Sequence, residues 1–157
     1  LSNKNIKLNI TAIMTIKQVK EVLKNLNPKT ESYISIFAGR IADTGIDPLP
    51  VMREALKLMK KNKKSELIWA STREFYNILQ ASKIKCHIIT VTTDIIKKKS
   101  LYKYNLTKYS LDTVKAFRQD ALRSKYKIWF FMIRGLQAVI LAGGRGTRLG
   151  SLGNKSI

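Results

Sequence analysis

The sequence has little of several residue types that mark particular classes of protein. Its 157 residues include one cysteine, one histidine and three prolines. The single Cys86 cannot form an internal disulfide, so a disulfide-stapled secreted scaffold is excluded and a reducing, cytoplasmic location is predicted. No apolar run approaches the roughly 20 residues that cross a bilayer, and we expect no membrane as a partner.

Acidic residues are also scarce, because 10 Asp and Glu face 30 Lys and Arg and leave a net charge of +20. Such an excess suits a nucleic acid, an anionic membrane or a phosphorylated substrate. Lysines scattered over predicted helix faces are equally typical of a solvated surface. Lysine and tyrosine interleave over residues 99–109, so a basic nucleic-acid-binding module stays an alternative. No helix-turn-helix, zinc or RNA-binding aromatic pattern supports it, which disfavours nucleic acid as the partner.

What the sequence does have is an alternation of short apolar strands with amphipathic helices over residues 1–124. Strands are predicted at residues 6–13, 33–37, 66–70 and 86–91. The apolar positions of the helices between and after them are Ile16, Val19, Val22, Leu23 and Leu26, then Val51, Ala55, Leu58 and Met59, then Phe75, Ile78 and Leu79, and finally Val114, Phe117 and Leu122. Ser71 or Thr72 is predicted to cap the third helix.

Continuously apolar strands predict an α/β fold with a parallel sheet covered on both faces. Four strand-helix units of about 30 residues each fit half of an eight-unit (β/α)8 TIM barrel as well as a small open sheet. The periodicity alone leaves both architectures open.

Ligands of parallel α/β proteins bind at the carboxyl ends of the strands. The residues predicted there are Asn9, Thr11, Ser35, Phe37, Arg40, Ser71, Arg73, Thr90, Thr92, Thr93 and Asp94. Guanidinium and hydroxyl donors match phosphate oxygens, so the two arginines and two serines predict an anion site. Each residue also has a structural interpretation: Ser71 as a helix cap, Arg40 as a partner of Asp43 or Asp47, and Arg73 as a solvated helix residue.

Four segments resemble the carboxy-terminal half of the transaldolase family in their order and spacing. They are LNITAIMT at 8–15, YISIFAGRIADTGIDP at 33–48, LIWASTRE at 67–74 and CHIITVTTDIIKK at 86–98. The resemblance implies a partial (β/α)8 barrel and a sugar phosphate substrate. Family members transfer a dihydroxyacetone unit between sugar phosphates through a lysine Schiff base, without a cofactor or a metal.

The resemblance also implies roles for individual residues. Asn9 would lie beside the Schiff base, Thr11 would hold a proton-shuttling water, and Ser35 would contact the donor sugar. Arg40, Ser71 and Arg73 match the family's phosphate-binding residues. Phe37 stands where transaldolases have Phe and the related fructose-6-phosphate aldolases have Tyr, which favours transfer over cleavage.

The catalytic lysine of the family lies one strand earlier, in a lysine-isoleucine/valine-proline pattern that this sequence lacks. Lys7 precedes a predicted strand and Lys85 follows a predicted helix, so neither is expected to project from a carboxyl end. A Schiff base needs a desolvated amine with a lowered pKa. We therefore expect a fragment that carries half of an active site and is inactive alone.

The last residues resemble a second family. LQAVILAGGRGTRLG at 136–150 is similar to the opening strand and glycine-rich loop of the Rossmann-like sugar-1-phosphate nucleotidyltransferases. The resemblance implies nucleotide contacts from five residues: Gly143, Gly144, Gly146, Thr147 and Arg148. Glycine loops can approach phosphates closely because they lack side chains.

Together these patterns predict a transaldolase-like half barrel at 1–124, a junction at 125–135 and a truncated nucleotidyltransferase start at 136–157. A read-through between two neighbouring genes would produce this order, as would a natural fusion truncated at both ends. A nucleotidyltransferase fragment is the second alternative function. The exposed edge of a half barrel predicts aggregation or a homo-oligomer.

Overall fold

A computed structural model describes residues 1–124 of the chain. The chain divides into two compact units, of which the first is Leu1–Tyr102 and the second begins at Lys103. The predicted junction at 125–135 and the nucleotidyltransferase-like segment at 136–157 lie outside the described residues. Within the described part, no helix has the length and apolar character needed to cross a membrane.

The first unit alternates strands and helices, as the sequence predicts. Its strands are β1 (Leu8–Ile13), β2 (Ser32–Ile36), β3 (Ser65–Trp69) and β4 (Ile88–Ile89). Its α-helices are α1 (Ile16–Asn25), α2 (Ala38–Asp43), α3 (Leu49–Met59), α4 (Tyr76–Lys83) and α5 (Thr93–Lys97). Short 3-10 helices cover Ser2–Lys4 and Lys98–Leu101. A capping box fixes the start of α1, since Thr15 accepts from the Gln18 backbone N–H and the Gln18 side chain accepts from the Thr15 backbone.

The four strands form one parallel sheet in the order β1-β2-β3-β4. Crossover connections between parallel strands are nearly always right-handed. In a sheet whose strand order never reverses, that handedness puts every connecting helix on the same face. The topology is consistent with a partial (β/α)8 barrel, because a doubly wound open sheet reverses its order.

The hydrophobic core lies between one face of this sheet and the helices. Ile34, Ile36, Leu67 and Trp69 from the strands are almost fully buried, and Val19 of α1 lies among them. On the other face, Asn9, Thr11 and Glu66 are exposed and Tyr33 is half-buried. Ser35 and Ile68 on the same face are buried, so the second face is partly covered within the described residues.

The region between β3 and α4 also departs from prediction. The helix begins at Tyr76 after Phe75, and no side chain caps its first turn. Ser71 instead has a left-handed backbone with φ of 61°, and the Thr72 hydroxyl donates to the Thr90 carbonyl at 2.6 Å. The predicted cap is wrong because both residues belong to the loop after β3.

The predicted burial of the apolar residues of α4 is also wrong. Phe75, Ile78 and Leu79 are only half-buried and line an open groove with Ile96 and Tyr102. Ala81 is the fully buried residue of this helix. The spacing of apolar residues indicates which face of a helix points inward. It does not indicate how much of that face neighbouring elements bury.

The strand predicted at 86–91 is reduced to two residues, and His87 accounts for the loss at its amino end. Its Nδ1 accepts a hydrogen bond from the backbone N–H of Leu67 at 3.0 Å. A side chain therefore takes a β3 donor that a longer β4 would use for its own backbone carbonyl. Pairing of β3 with β4 is confined to Ile68 with Ile88 and Trp69 with Ile89.

The described part of the second unit contains helix α6 (Leu106–Ser124), which begins four residues before the predicted start at Ser110. Asn105 caps it, because its side-chain oxygen accepts from the Lys108 backbone N–H at 2.9 Å. The predicted apolar positions Val114, Phe117 and Leu122 are 59–70% exposed. They form an exposed apolar stripe on the amphipathic helix α6.

Candidate active site

The side chains of β1 and β2 meet on the polar face of the sheet. The Ser35 hydroxyl donates to Asn9 Oδ1 at 2.8 Å, and Ser35 is 4% exposed. The two strands place these residues together because Ile10 pairs with Ile34 in a parallel register. The predicted neighbours from the first and second strands are thus in direct contact.

Thr11 lies two residues beyond Asn9 and is exposed. The pairing of β1 with β2 becomes irregular between Ile10 and Ile13, and Ala12 has a left-handed backbone with φ of 62°. An irregularity of this kind turns the strand locally and redirects its side chains. Thr11 thus lies where the pairing of β1 with β2 becomes irregular.

Phe37 and Arg40 follow β2 and interact with each other. The guanidinium carbon of Arg40 lies 5.4 Å from the centre of the Phe37 ring, within the range of a cation–π contact. Phe37 is held by a hydrogen bond from its backbone N–H to the Ile13 carbonyl at 2.9 Å. Arg40 is exposed and forms none of the ion pairs among residues 1–124.

Gly39 brings the start of α2 against the loop that follows β3. A Cβ at Gly39 would come within 1.6 Å of the Ser71 carbonyl oxygen and 3.0 Å of Arg73 Cγ. The residues after β2 and after β3 therefore approach one another only because this position lacks a side chain. Sequence reasoning missed Gly39, although it stands between Phe37 and Arg40 in the most distinctive segment.

Arg73 is paired with a carboxylate that the sequence interpretation offered to Arg40. Its Nε donates to both Asp43 oxygens at 3.1–3.2 Å, and a terminal guanidinium nitrogen also contacts Oδ2. The hydrogen bond with Asp43 raises the pKa of Arg73 further above its ordinary range. Asp43 therefore joins α2 to the loop after β3, and the interpretation of Arg40 as its partner is wrong.

The two lysines considered at the sequence level lie away from this edge. Lys7 immediately precedes β1 and its Nζ lies 2.6 Å from Glu31. That hydrogen-bonded pair raises the pKa of Lys7 and lowers the pKa of Glu31. Lys85 lies between the end of α4 and the start of β4. Both lysines thus precede strands, whereas Phe37, Arg40, Ser71 and Arg73 follow them.

Cys86 and His87 are adjacent in the sequence, and both contact β3. The Cys86 thiol lies 3.5 Å from the Leu67 carbonyl and 3.4 Å from the Ile88 carbonyl, while His87 Nδ1 binds the Leu67 N–H. Burial raises the pKa of the Cys86 thiol. Among residues 1–124 no group of three or more His, Cys, Asp or Glu is placed to hold a metal ion.

These contacts define a class of protein: a parallel barrel-type α/β chain whose basic and hydroxyl side chains gather at the carboxyl ends of its strands. The Transaldolase/Fructose-6-phosphate aldolase family model matches residues 1–128. The chain belongs to this family. The match does not reach the nucleotidyltransferase-like segment, which stays a prediction.

Curated relatives agree with this assignment. A probable transaldolase of Thermoanaerobacter sp. (strain X514) is 29% identical over 129 residues, which cover 82% of this chain and 56% of the relative. A probable transaldolase of Methanococcus maripaludis (strain C5 / ATCC BAA-1333) is 32% identical over 108 residues, or 68% of this chain and 47% of the relative. One from Clostridium botulinum (strain Hall / ATCC 3502 / NCTC 13319 / Type A) is 29% identical over 124 residues, which cover 76% of this chain and 55% of the relative. The chain thus spans about half the length of these relatives.

Proposed function

We propose that this chain supplies the substrate-orienting and phosphate-binding part of a transaldolase-type site. The reaction would transfer a dihydroxyacetone unit between sugar phosphates. The observation that carries the proposal is twofold: Asn9 of β1 contacts Ser35 near the carboxyl end of β2, and Gly39 and Ser71, which follow β2 and β3, lie against one another. The cytoplasmic location predicted from the single cysteine stays a prediction.

Each residue has a role in this proposal. Arg40, Ser71 and Arg73 hold the phosphate, because their guanidinium and hydroxyl donors suit its oxygens. Ser35 contacts the hydroxyls of the donor sugar, and Asn9 orients it. Thr11 holds the water that moves a proton. Phe37 packs beside the reacting carbons, and its lack of a hydroxyl favours transfer over cleavage.

The Schiff base would have to come from a lysine that residues 1–124 do not place at the site. The amine attacks the ketone carbon of the donor sugar and water leaves, which gives an iminium that stabilises the carbanion of the next step. Lys7 and Lys85 lie at the amino ends of strands, and Lys7 is paired with Glu31. We therefore propose that the 157-residue chain binds sugar phosphates without transferring them.

Two measurements on the full chain test this proposal. Incubation with fructose 6-phosphate and borohydride should leave the intact mass unchanged, whereas a stable adduct on any lysine contradicts the claim of inactivity. Calorimetric titration with fructose 6-phosphate should show weak binding that falls at least tenfold in Arg40→Gln. The matched control is Arg53→Gln, which removes an exposed arginine of α3. Equal loss in both variants would contradict a site at Arg40.

A further inference from the structure

A second cavity lies at the opposite edge of the sheet from the candidate active site. It has a volume of about 450 Å³ and is bordered by the residues that connect α3 to β3 and α4 to β4. The polar residues that line it are Lys60, Asn62, Lys63, Ser65, Lys85 and His87. Its position at the amino ends of β3 and β4 separates it from Ser35, Arg40 and Ser71.

The lining of this cavity is basic. Lys60, Lys63 and Lys85 contribute three ammonium groups, and no Asp or Glu is among the lining residues. None of the three lysines takes part in an ion pair within residues 1–124. Unpaired cations around one concave surface favour an anionic ligand, because a concave site concentrates their field.

Two buried polar atoms in the lining have no hydrogen-bond partner among the described residues. They are the side-chain oxygens Asn62 Oδ1 and Ser65 Oγ. Asn62 is 9% exposed and Ser65 is 4% exposed, so water reaches neither readily. Buried polar atoms are nearly always paired, and an unpaired one calls for an explanation such as a missing ligand.

The backbone around these two side chains is already satisfied. The Asn62 N–H donates to the Met59 carbonyl at 2.8 Å, and the Ser65 N–H donates to the Asn62 carbonyl at 3.0 Å. The turn from α3 into β3 is therefore held without the side-chain oxygens. Asn62 Oδ1 and Ser65 Oγ are thus buried although neither makes a hydrogen bond that stabilises this turn.

His87 adds one hydrogen-bond donor, the N–H at Nε2 of its ring. Its Nδ1 accepts from the Leu67 backbone N–H, so in the neutral ring the proton resides on Nε2. The cavity thus offers an imidazole N–H, three ammonium groups and a serine hydroxyl as donors. Asn62 Oδ1 is its acceptor, and that acceptor needs a donor from the ligand.

We propose that this cavity binds a small phosphate ester that carries hydroxyl groups. The lysines and His87 would hold the phosphate oxygens. A ligand hydroxyl would donate to Asn62 Oδ1, and Ser65 would bond to the hydroxyl-bearing part of the ligand. The site is separate from the proposed transaldolase-type site, and its occupation would leave Arg40 and Ser71 open to substrate.

The test is a two-dimensional amide NMR titration of the full chain with glycerol 3-phosphate. We expect shifts at residues 60–65 and 85–87 that saturate, with weaker binding of inorganic phosphate and none of glycerol. Equal responses to glycerol would overturn the proposal, since the phosphate would then be irrelevant. Shifts confined to residues 35–40 and 71–73 would also overturn it and would leave the proposed function standing.

Variants separate this site from general attraction to a basic chain. The double substitution Lys60→Gln and Lys63→Gln should weaken glycerol 3-phosphate binding at least tenfold. Lys17→Gln with Lys20→Gln removes the same charge from exposed positions of α1 and should change the affinity less than twofold. Equal losses in the two pairs would overturn the proposal. Because all four lysines are exposed, the dispersion of the amide spectrum should be retained in both variants.

Two further substitutions complete the design. Ser65→Ala should narrow the preference for glycerol 3-phosphate over inorganic phosphate by several fold, because it removes a buried hydroxyl and no charge. An unchanged preference for glycerol 3-phosphate over inorganic phosphate would overturn the role assigned to Ser65. Arg40→Gln should leave the shifts at residues 60–65 intact, whereas their loss would assign all binding to the other edge and overturn the second site.

Discussion

Gly39 lies against the carbonyl oxygen of Ser71 more closely than any other residue type could. A Cβ placed on Gly39 would stand 1.6 Å from that oxygen, well inside any contact distance between real atoms. Ser71 itself has φ of 61°, a backbone conformation that costs a non-glycine residue free energy. Two local constraints therefore meet where α2 approaches the loop after β3.

Replacement of Gly39 by alanine should destabilise the chain by about 3 kcal/mol or more, because the new methyl group meets backbone rather than a side chain that could move. The free energy of unfolding from urea titration measures this effect. Gly45→Asn is the matched control, since a Cβ there meets no atom within 4 Å and φ is +82°. Asparagine tolerates positive φ, so the control should change the stability by less than about 1 kcal/mol. Equal effects would contradict the close approach at Gly39.

The hydrogen bond between Ser35 and Asn9 predicts an asymmetric pair of substitutions. Asn9→Ala leaves the buried Ser35 hydroxyl without its acceptor and should cost about 1–3 kcal/mol. Ser35→Ala leaves an oxygen on the exposed Asn9, which water can reach, and should cost about 0.5–1.5 kcal/mol. Urea unfolding of both single variants and the double variant measures the coupling. A coupling energy near zero would contradict the contact.

Asp43→Asn should strengthen phosphate binding at the candidate active site. The substitution removes the carboxylate that occupies the Arg73 guanidinium and leaves that cation available to an anionic ligand. We expect a two- to five-fold higher affinity for fructose 6-phosphate at low salt, with the gain lost at high salt because the pair is exposed. Glu54→Gln removes a carboxylate from the exposed pair with Lys57 and should leave the affinity unchanged. A weaker affinity in Asp43→Asn would mean that Asp43 positions Arg73 for the ligand.

Cys86 should react slowly with thiol reagents and make the stability sensitive to alkaline pH. Burial raises the pKa of its thiol in the folded chain, so the folded state holds this proton more tightly than the unfolded state. The contribution to stability is present below the unfolded pKa of about 8.5 and falls as the pH rises through the folded pKa. Urea midpoints between pH 7 and 10 should fall more for the original chain than for Cys86→Ala. Parallel curves would contradict the raised pKa.

Self-association should follow from the two outer strands of the sheet. Within the described residues β1 pairs only with β2, and β4 pairs only with β3. A (β/α)8 barrel closes with eight parallel strands, so a second copy could supply the four that are needed. We expect concentration-dependent dimers in sedimentation experiments. Thr11→Lys, a charge on the exposed face of β1, should weaken them, whereas Ser82→Lys on α4 should not. A monomer at all concentrations would contradict this prediction.

The elements were predictable from the sequence wherever a periodic apolar pattern coincides with burial in one core. The first three strands lie within two residues of their predicted bounds, and Val19, Ala55 and Met59 are buried as their spacing predicts. The fourth strand was not predictable in its length. Its pairing depends on the His87 side chain binding a β3 amide, an interaction between residues far apart in the sequence.

The candidate site shows the same division. Asn9 pairs with Tyr33 across β1 and β2, so the parallel register brings Asn9 diagonally beside Ser35, which shares its face of the sheet. The partner of Arg73 does not follow from register, because Asp43 and Asp47 are equivalent acids in the sequence. Only the close approach at Gly39 selects Asp43, by placing α2 beside the loop that carries Arg73.

The unreversed strand order has a consequence for synthesis of the chain. Each strand pairs with the strand that precedes it. A nascent chain can therefore add one strand to the sheet at a time as it leaves the ribosome. These pairings join residues 20–33 positions apart in the sequence, and parallel pairing across such separations forms slowly. β1 keeps one unpaired edge throughout, the newest strand has the other, and each strand between them is paired on both sides. Ribosome pausing after β3 would therefore expose a different edge to chaperones than pausing after β2.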